Sequence, residues 1–197
     1  MRINQASGRV GSSAARRDQI VAATIAVLAE RGYAATSYDA ICAAAGLSSK
    51  RLISYHFTTK DELLAEVLRR VTADAAEVMR PAIEAAVRAD DKLAAYIRSN
   101  VEFIAARPDH VRAVHQIVYG GAPVPSEEAD AALSRLVALF DFGQRTGVFR
   151  KFDSLLMAGA VRAAIDAAAG RLIAGADTEH CAEELTETFR RATRIQR

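Results

Sequence analysis

The chain has 197 residues, long enough for a sizeable core in one or two domains. Hydrophobic residues make up 51% of it, which excludes a disordered chain, and with Ala abundant, Pro (4) and Gly (11) scarce, an almost entirely helical protein is expected. The net charge of +2 hides an uneven split: residues 1–60 hold eight Lys/Arg against three Asp/Glu, or +5, and the remainder 18 against 21, or −3, so a polyanion suits only the first third.

The two cysteines, Cys42 and Cys181, sit in no CxxC or Cys/His cluster, so no zinc site is expected. His110, His115 and His180 lack metal-ligand spacing and read as core or surface histidines. No apolar run reaches roughly 18 residues, which argues against a membrane span. The opening MRINQASGRVGSSAARR has no apolar segment after its arginines and does not read as a secretory signal, so a cytoplasmic location is expected.

In chain order, residues 1–12 read as a disordered arm, and a first helix as running from about Ser13 to Arg31. Ile20, Thr24, Val27 and Leu28 lie on one face of it and Gly32 ends it. A second helix starts after Thr36, with Thr36 and Asp39 resembling a capping box and Tyr38, Ile41, Cys42 and Ala45 as its buried stripe. Gly46 supplies a left-handed stop and Leu47 folds back onto Cys42. A third helix runs from Ser48, its N-cap, to about His56, followed by Phe57 as a core anchor. Thr59 and Glu62 form a capping box for a fourth helix toward Met79, with Pro81 a break or a new first turn.

Helix, glycine turn, then a helix opening on Ser48, Ser49, Lys50 and Arg51 is a helix-turn-helix pattern, which lays its second helix in the DNA major groove. Lys50 and Arg51 can donate to guanine O6/N7, Arg as a bidentate fork. Ser48 and Ser49 are short donor-acceptors that permit close approach. Thr36, Ser37, Ser54, Tyr55, His56 and Lys60 lie on the helix or its flanks as candidate DNA contacts, the hydroxyls and the ammonium among them suited to phosphates. Arg9, Arg16 and Arg17 either add phosphate or minor-groove contacts or merely solvate a tail.

The body continues as helices: a stripe of Leu93, Tyr96, Ile97, Val101 and Ile104 ending near Arg107-Pro108, and a segment Val111–Tyr119. A loop Gly120–Pro125 precedes a helix capped by Ser126 and ending near Gly143. Gly147 and Phe149 lie in a turn, Asp153 caps a helix reaching Ala174, and a last helix runs from Thr178 to about Arg194. Arg162 and Asp166, one turn apart in an Ala-rich helix, read either as an exposed pair worth a few tenths of a kcal/mol or as a polar anchor at a pocket or seam. The small-residue stretch Met157–Gly170 reads either as tight internal packing or as a dimer seam, the second favoured because a half-site reader needs a two-fold partner.

Residues 18–68 resemble the DNA-binding domain of TetR-family transcriptional regulators. The matching features are Ala22 to Leu28, Glu30-Arg31-Gly32-Tyr33, Ala35-Thr36-Ser37, Ile41 to Ser48, His56-Phe57, Lys60 and Glu62-Leu63-Leu64. Gly46 and Phe57 enclose ten residues, one more than the family pattern usually has. The family's late phosphate-touching aromatic therefore maps to Ile53 counted from Gly46, or to Ser54 counted from Phe57, with Tyr55 the nearest tyrosine.

The resemblance implies a ligand pocket in the body and a homodimer built from the last two long helices. Phe103, His115, Tyr119, Phe140, Met157, Arg162 and Asp166 are the candidate ligand residues. The expected architecture is all-α: an arm (1–12), a three-helix helix-turn-helix DNA-binding domain (13–60), a connecting helix (61–80) and a helical effector-binding and dimerisation domain (81–197). The expected function is a sequence-specific transcriptional regulator that binds an operator in double-stranded DNA, most often a repressor in this family, released by a small hydrophobic effector. No cofactor is expected. The alternatives are an effector-independent DNA-binding protein, favoured by a body packed solid, and a helical enzyme with a fortuitous helix-turn-helix. The enzyme needs a clustered acid/base set, and no GxSxG, HExxH or Gly-rich phosphate loop is present.

Overall fold

The computed structural model describes residues 6–122 and 127–195. Among them the chain forms nine α-helices: α1 (Ala6–Ala35), α2 (Tyr38–Ala45), α3 (Arg51–His56), α4 (Lys60–Ala85), α5 (Ala89–Ala106), α6 (Pro108–Tyr119), α7 (Glu127–Arg145), α8 (Ser154–Ile173) and α9 (Thr178–Thr193). The chain divides into two compact units, one of residues 1–71 and 109–125, the other of residues 72–108 and 126–197. Expectation and structure differ here, since α6 belongs to the first unit and not to the body.

In the first unit α1 packs against α2, and Ile20, Leu28, Ile41, Ile53, Phe57 and Leu63 are its fully buried anchors. Helix α1 begins at Ala6, earlier than the expected Ser13, because no proline interrupts the opening segment and Gly8 and Gly11 cost only about 1 kcal/mol each. The arm expected at 1–12 is thus helical from Ala6, and residues 1–5 lie outside the described residues. Gly32 does break α1, with φ 77° and ψ 172°, a conformation open to glycine, before one further turn to Ala35.

The cap of α2 is Ser37, whose hydroxyl accepts from the Ala40 N–H at 3.2 Å. Thr36, the expected cap, is buried and its hydroxyl donates to the Gly32 carbonyl at 2.8 Å, so it closes the break in α1. Gly46 ends α2 in the left-handed region, and the Leu47 N–H returns to the Cys42 carbonyl at 2.9 Å. Helix α3 starts at Arg51, later than expected. Lys50 is its N-cap residue without a side-chain cap, and Ser49 Oγ accepts from the Arg51 N–H at 3.1 Å. The serines form the turn and not the helix because their hydroxyls compete for nearby backbone donors. At the head of α4 the Glu62 N–H donates to Thr59 Oγ1, while Glu62 reaches back to the Thr58 N–H, one residue before the usual partner. Pro81 does not break α4, which continues to Ala85: a proline removes one N–H and strains one turn, and a long helix can absorb both.

In the second unit α5 packs against α7, α8 and α9, and α8 against α7 and α9. Asp153 caps α8 through the Leu156 N–H and Asp177 caps α9 through the His180 N–H. Phe140, Phe149 and Phe152 form an aromatic cluster with ring centroids 5.3–6.2 Å apart. Gly143 is required beside it, since a Cβ there would lie 2.2 Å from the Phe149 ring. Residues 123–126, with the expected Ser126 cap, lie outside the described residues.

Candidate nucleic-acid interface

The short α3 sets its register by burying Ile53 completely, directly before the fully buried Phe57 one turn on. Around Ile53, Leu52 and His56 are half-buried, while Arg51, Ser54 and Tyr55 are exposed, as are Ser48 and Ser49 in the turn before the helix. Burial of Ile53 removes it as a phosphate contact. Ser54 and Tyr55 are the available positions, and Tyr55 is 80% exposed with its ring edge-on to His56 at 5.1 Å. His56 is half-buried, and its carbonyl accepts from Arg17 at 3.2 Å.

Lys50 is held in the free protein: its ammonium pairs with Asp39 on α2 at 2.9 Å. Ser37 is exposed but committed to capping, and Thr36 is withdrawn from the flank by burial. Lys60, half-buried at the start of α4, places Nζ 4.6 Å from the centroid of the Tyr33 ring. Arg17 is not an arm residue. Its guanidinium lies 4.4 Å over the Phe57 ring and pairs with Glu66 at 3.3 Å, which fixes α1 to α4 within the unit. Arg16 bonds Gln19 on the exposed side of α1, and the side chain of Arg9 lies outside the described residues.

The candidate ligand residues are divided. His115 and Tyr119 lie on α6 in the first unit, ring to ring at 5.7 Å, with Tyr119 76% exposed. The other five lie in the second unit. Phe140 is fully buried in the aromatic cluster and is a core residue; Phe103 is buried, Met157 half-buried and Asp166 exposed. Arg162 leans to α5, with Nη1 3.5 Å from Tyr96 Oη. Burial works against its charge, but the Tyr96 hydroxyl and then Asp166 favour it, and the guanidinium pKa ends above its ordinary value. A cavity of about 180 Å³ in this unit lies elsewhere, lined by Asp90, Val148, Phe149, Glu187, Arg190, Arg191 and Arg194.

Residues 20–67 match the family profile of bacterial regulatory proteins of the tetR family. The chain is also 27% identical, over 155 residues covering 78% of it and 70% of the relative, to the HTH-type transcriptional activator FasR of Mycolicibacterium smegmatis. The helix-turn-helix segment of the chain thus matches that of the TetR family. The protein is a DNA-binding transcriptional regulator, with the matched residues spanning the helix-turn-helix described above.

Solved structures of other regulators share the fold over most of this chain. The fatty acid degradation regulator FadR of Bacillus halodurans superposes with a TM-score of 0.80 at 18% identity, covering 89% of this chain and 94% of that one. A transcriptional regulator from Saccharomonospora viridis in complex with choline gives 0.73 at 22%, covering 91% and 98%. The ketosteroid regulator KstR2 of Mycobacterium tuberculosis gives 0.74 at 18%, covering 92% and 96%.

Three partners escaped the sequence reading: Asp39 for Lys50, Tyr33 under Lys60, and Tyr96 for Arg162. The first two fall within the matched segment, yet the members of each pair lie on different elements, so periodicity within one helix carries no signal for them. Among the described residues no group of three or more His, Cys, Asp or Glu is placed to hold a metal ion, and no helix is long and apolar enough to cross a membrane.

Proposed function

We propose that the protein is a homodimeric, sequence-specific regulator that reads an operator with α3 and is switched by a small molecule bound in the second unit. The observation that carries the reading is the outward row Ser48, Ser49, Arg51, Ser54 and Tyr55 set around the buried Ile53. In this reading Arg51 and Lys50 read base edges, and Ser37, Tyr55, His56 and Lys60 hold phosphates. Two copies are needed because helix-turn-helix proteins read half-sites about 34–36 Å apart. The regulator works where the chromosome is, and we assign it to the cytoplasm and to no enzymatic role.

The effector is a small, largely apolar molecule with one polar handle. The half-buried, permanently charged Arg162 beside Tyr96 supports a handle that accepts hydrogen bonds or carries negative charge. The choline complex of the Saccharomonospora viridis protein supports a small-molecule effector in general. The sequence reading expects a repressor, and the relative FasR is named an activator, so the sign of control is itself an experimental outcome.

Selection of bound duplexes from a random pool by the purified protein is the direct test. Enrichment of a two-fold symmetric site is expected, with Arg51→Ala costing about 1–3 kcal/mol and relaxing preference at one base position. Equal affinity for all duplexes, flat with salt, would overturn the reading. A reporter carrying the selected site then distinguishes repression from activation.

A further inference from the structure

Tyr33 stands at the break in α1, where Gly32 turns the chain out of the helical path. Its N–H donates across 83 residues to Gln116 Oε1 of α6, at 3.0 Å. The fit is close on both sides: a Cβ on Gly32 would lie 3.1 Å from Gln116 Oε1, and a Cβ on Gly120 would lie 2.6 Å from Cγ of the Tyr33 ring. The face of the same ring carries the Lys60 ammonium at 4.6 Å. One aromatic thus meets the end of α6 by its backbone and ring and a cation by its face, all within the first unit.

We propose that Tyr33 is a positioning residue that presets the Lys60 ammonium for a DNA phosphate, and that α6 controls this setting through Gln116 and Gly120. The inference rests on the reading of Lys60 as a phosphate donor given above. An ammonium has three protons, so one can face the ring while another donates to a phosphate oxygen. Ordering the flexible lysine before binding removes part of the entropy that docking otherwise costs. Gln116 fixes the ring in turn, because the Tyr33 N–H it accepts lies at the glycine break. A shift of α6 then moves the ring and releases Lys60, weakening DNA binding without touching α3.

The test uses the full-length protein and a duplex selected with it. Tyr33→Leu is expected to lower affinity roughly two- to fivefold, the value of an exposed cation–π contact. It is also expected to flatten the slope of log K against log salt by up to about 0.9, as Lys60→Ala does. Tyr33→Phe keeps the ring and is expected to retain both. Gln116→Ala is expected to weaken binding in the wild-type background and to add nothing in a Lys60→Ala background. Full additivity of Gln116→Ala and Lys60→Ala, or an unchanged slope in a folded Tyr33→Leu variant, overturns the proposal.

A second readout needs no DNA. Stacking over the ring is expected to shift the Lys60 Hε resonances upfield in the free protein, and Gln116→Ala to return them toward the values of an exposed lysine. Unshifted Hε resonances in the wild type overturn the positioning role even where DNA binding holds. Upfield Lys60 Hε resonances with no salt-dependent binding to any duplex overturn the regulatory reading instead.

Discussion

The guanidinium of Arg17 on α1 donates to the Glu66 carboxylate on α4 at 3.3 Å while covering the Phe57 ring at 4.4 Å. With its further bond to the His56 carbonyl, one side chain holds the end of α3, the core phenylalanine and α4 together. Arg17→Ala is therefore expected to destabilise the protein by about 1–2 kcal/mol, from a charged hydrogen bond and a cation–π contact at a partly exposed site. Urea unfolding measures it. If instead stability is unchanged and the salt slope of DNA binding falls by about 0.9, Arg17 contacts phosphate and the clamp is incidental.

The same pair gives a pH dependence with a definite sign. Hydrogen bonding from Arg69 holds the Glu66 carboxyl below its ordinary pKa against the opposing effect of burial, with Arg17 adding to the lowering. The folded pKa is thus depressed relative to the unfolded one. The stabilisation is present above the unfolded glutamate range near pH 4.5 and is lost as pH falls through the folded pKa. Glu66→Gln is expected to flatten the acid limb of a melting-temperature profile below about pH 5. An acid limb identical to wild type would refute the assignment to Glu66.

Asp39 restrains Lys50 at 2.9 Å in an exposed pair, and it places a negative charge beside the surface read as facing DNA. Removing it frees the ammonium and one repulsion at once. Asp39→Asn is expected to change stability by less than about 0.5 kcal/mol, as exposed pairs do. It is also expected to tighten binding to a selected duplex, with a salt slope at least as steep as wild type. A loss of affinity in a folded variant would mean that Asp39 itself contacts DNA.

Much of this was legible in the sequence because it depends on local rules. Gly46 stops α2 and Asp153 caps α8 by backbone geometry that a few neighbouring residues determine. The misplaced starts of α2 and α3 show where those rules compete: Thr36 and Ser37 are both good caps, and the tertiary need to close the Gly32 break takes Thr36. What the sequence could not carry is pairing across the fold. The ten residues between Gly46 and Phe57 left both Ile53 and Ser54 eligible for the surface, and only packing buries Ile53. The expected pocket likewise grouped Phe140 with Arg162, whereas the aromatic cluster takes the first and Tyr96 the second.

The Arg162 and Tyr96 pair makes the effector reading testable. A thermal-shift screen of small apolar molecules is expected to favour those bearing a carboxylate or another acceptor, since arginine offers donors and no acceptor. Hits are expected to lower operator affinity by a coupling of about 1–3 kcal/mol. Arg162→Met keeps the bulk and is expected to abolish selectivity for the acceptor. Hits that stabilise the protein but leave DNA affinity unchanged would mean a ligand site without a switch. Selectivity untouched by Arg162→Met would move the site elsewhere, the cavity beside Arg190, Arg191 and Arg194 being the next to probe.

Helix α8 is apolar on two sides. Its inner face buries Ala158, Val161, Ile165, Ala169 and Leu172, while Leu156, Ala160, Ala163, Ala167 and Gly170 stand exposed. The exposed positions recur at alternating steps of four and three, a continuous stripe along one face, and Leu156 is 74% exposed on it. An outward stripe of small and apolar residues suits a second copy of the same helix across a two-fold axis, where small side chains let backbones approach closely. Ala163 is the middle of the stripe, and Ala164, half-buried, is a poorer probe. Ala163→Glu places two like charges together at such a seam and is expected to give monomers of 21.2 kDa with the helical signature retained. Operator affinity is expected to fall with dimerisation, because one half-site alone is then engaged. Light scattering at micromolar concentration reads the outcome. A wild-type monomer would remove the dimer from the proposed function, and an Ala163→Glu dimer would place the seam on another face.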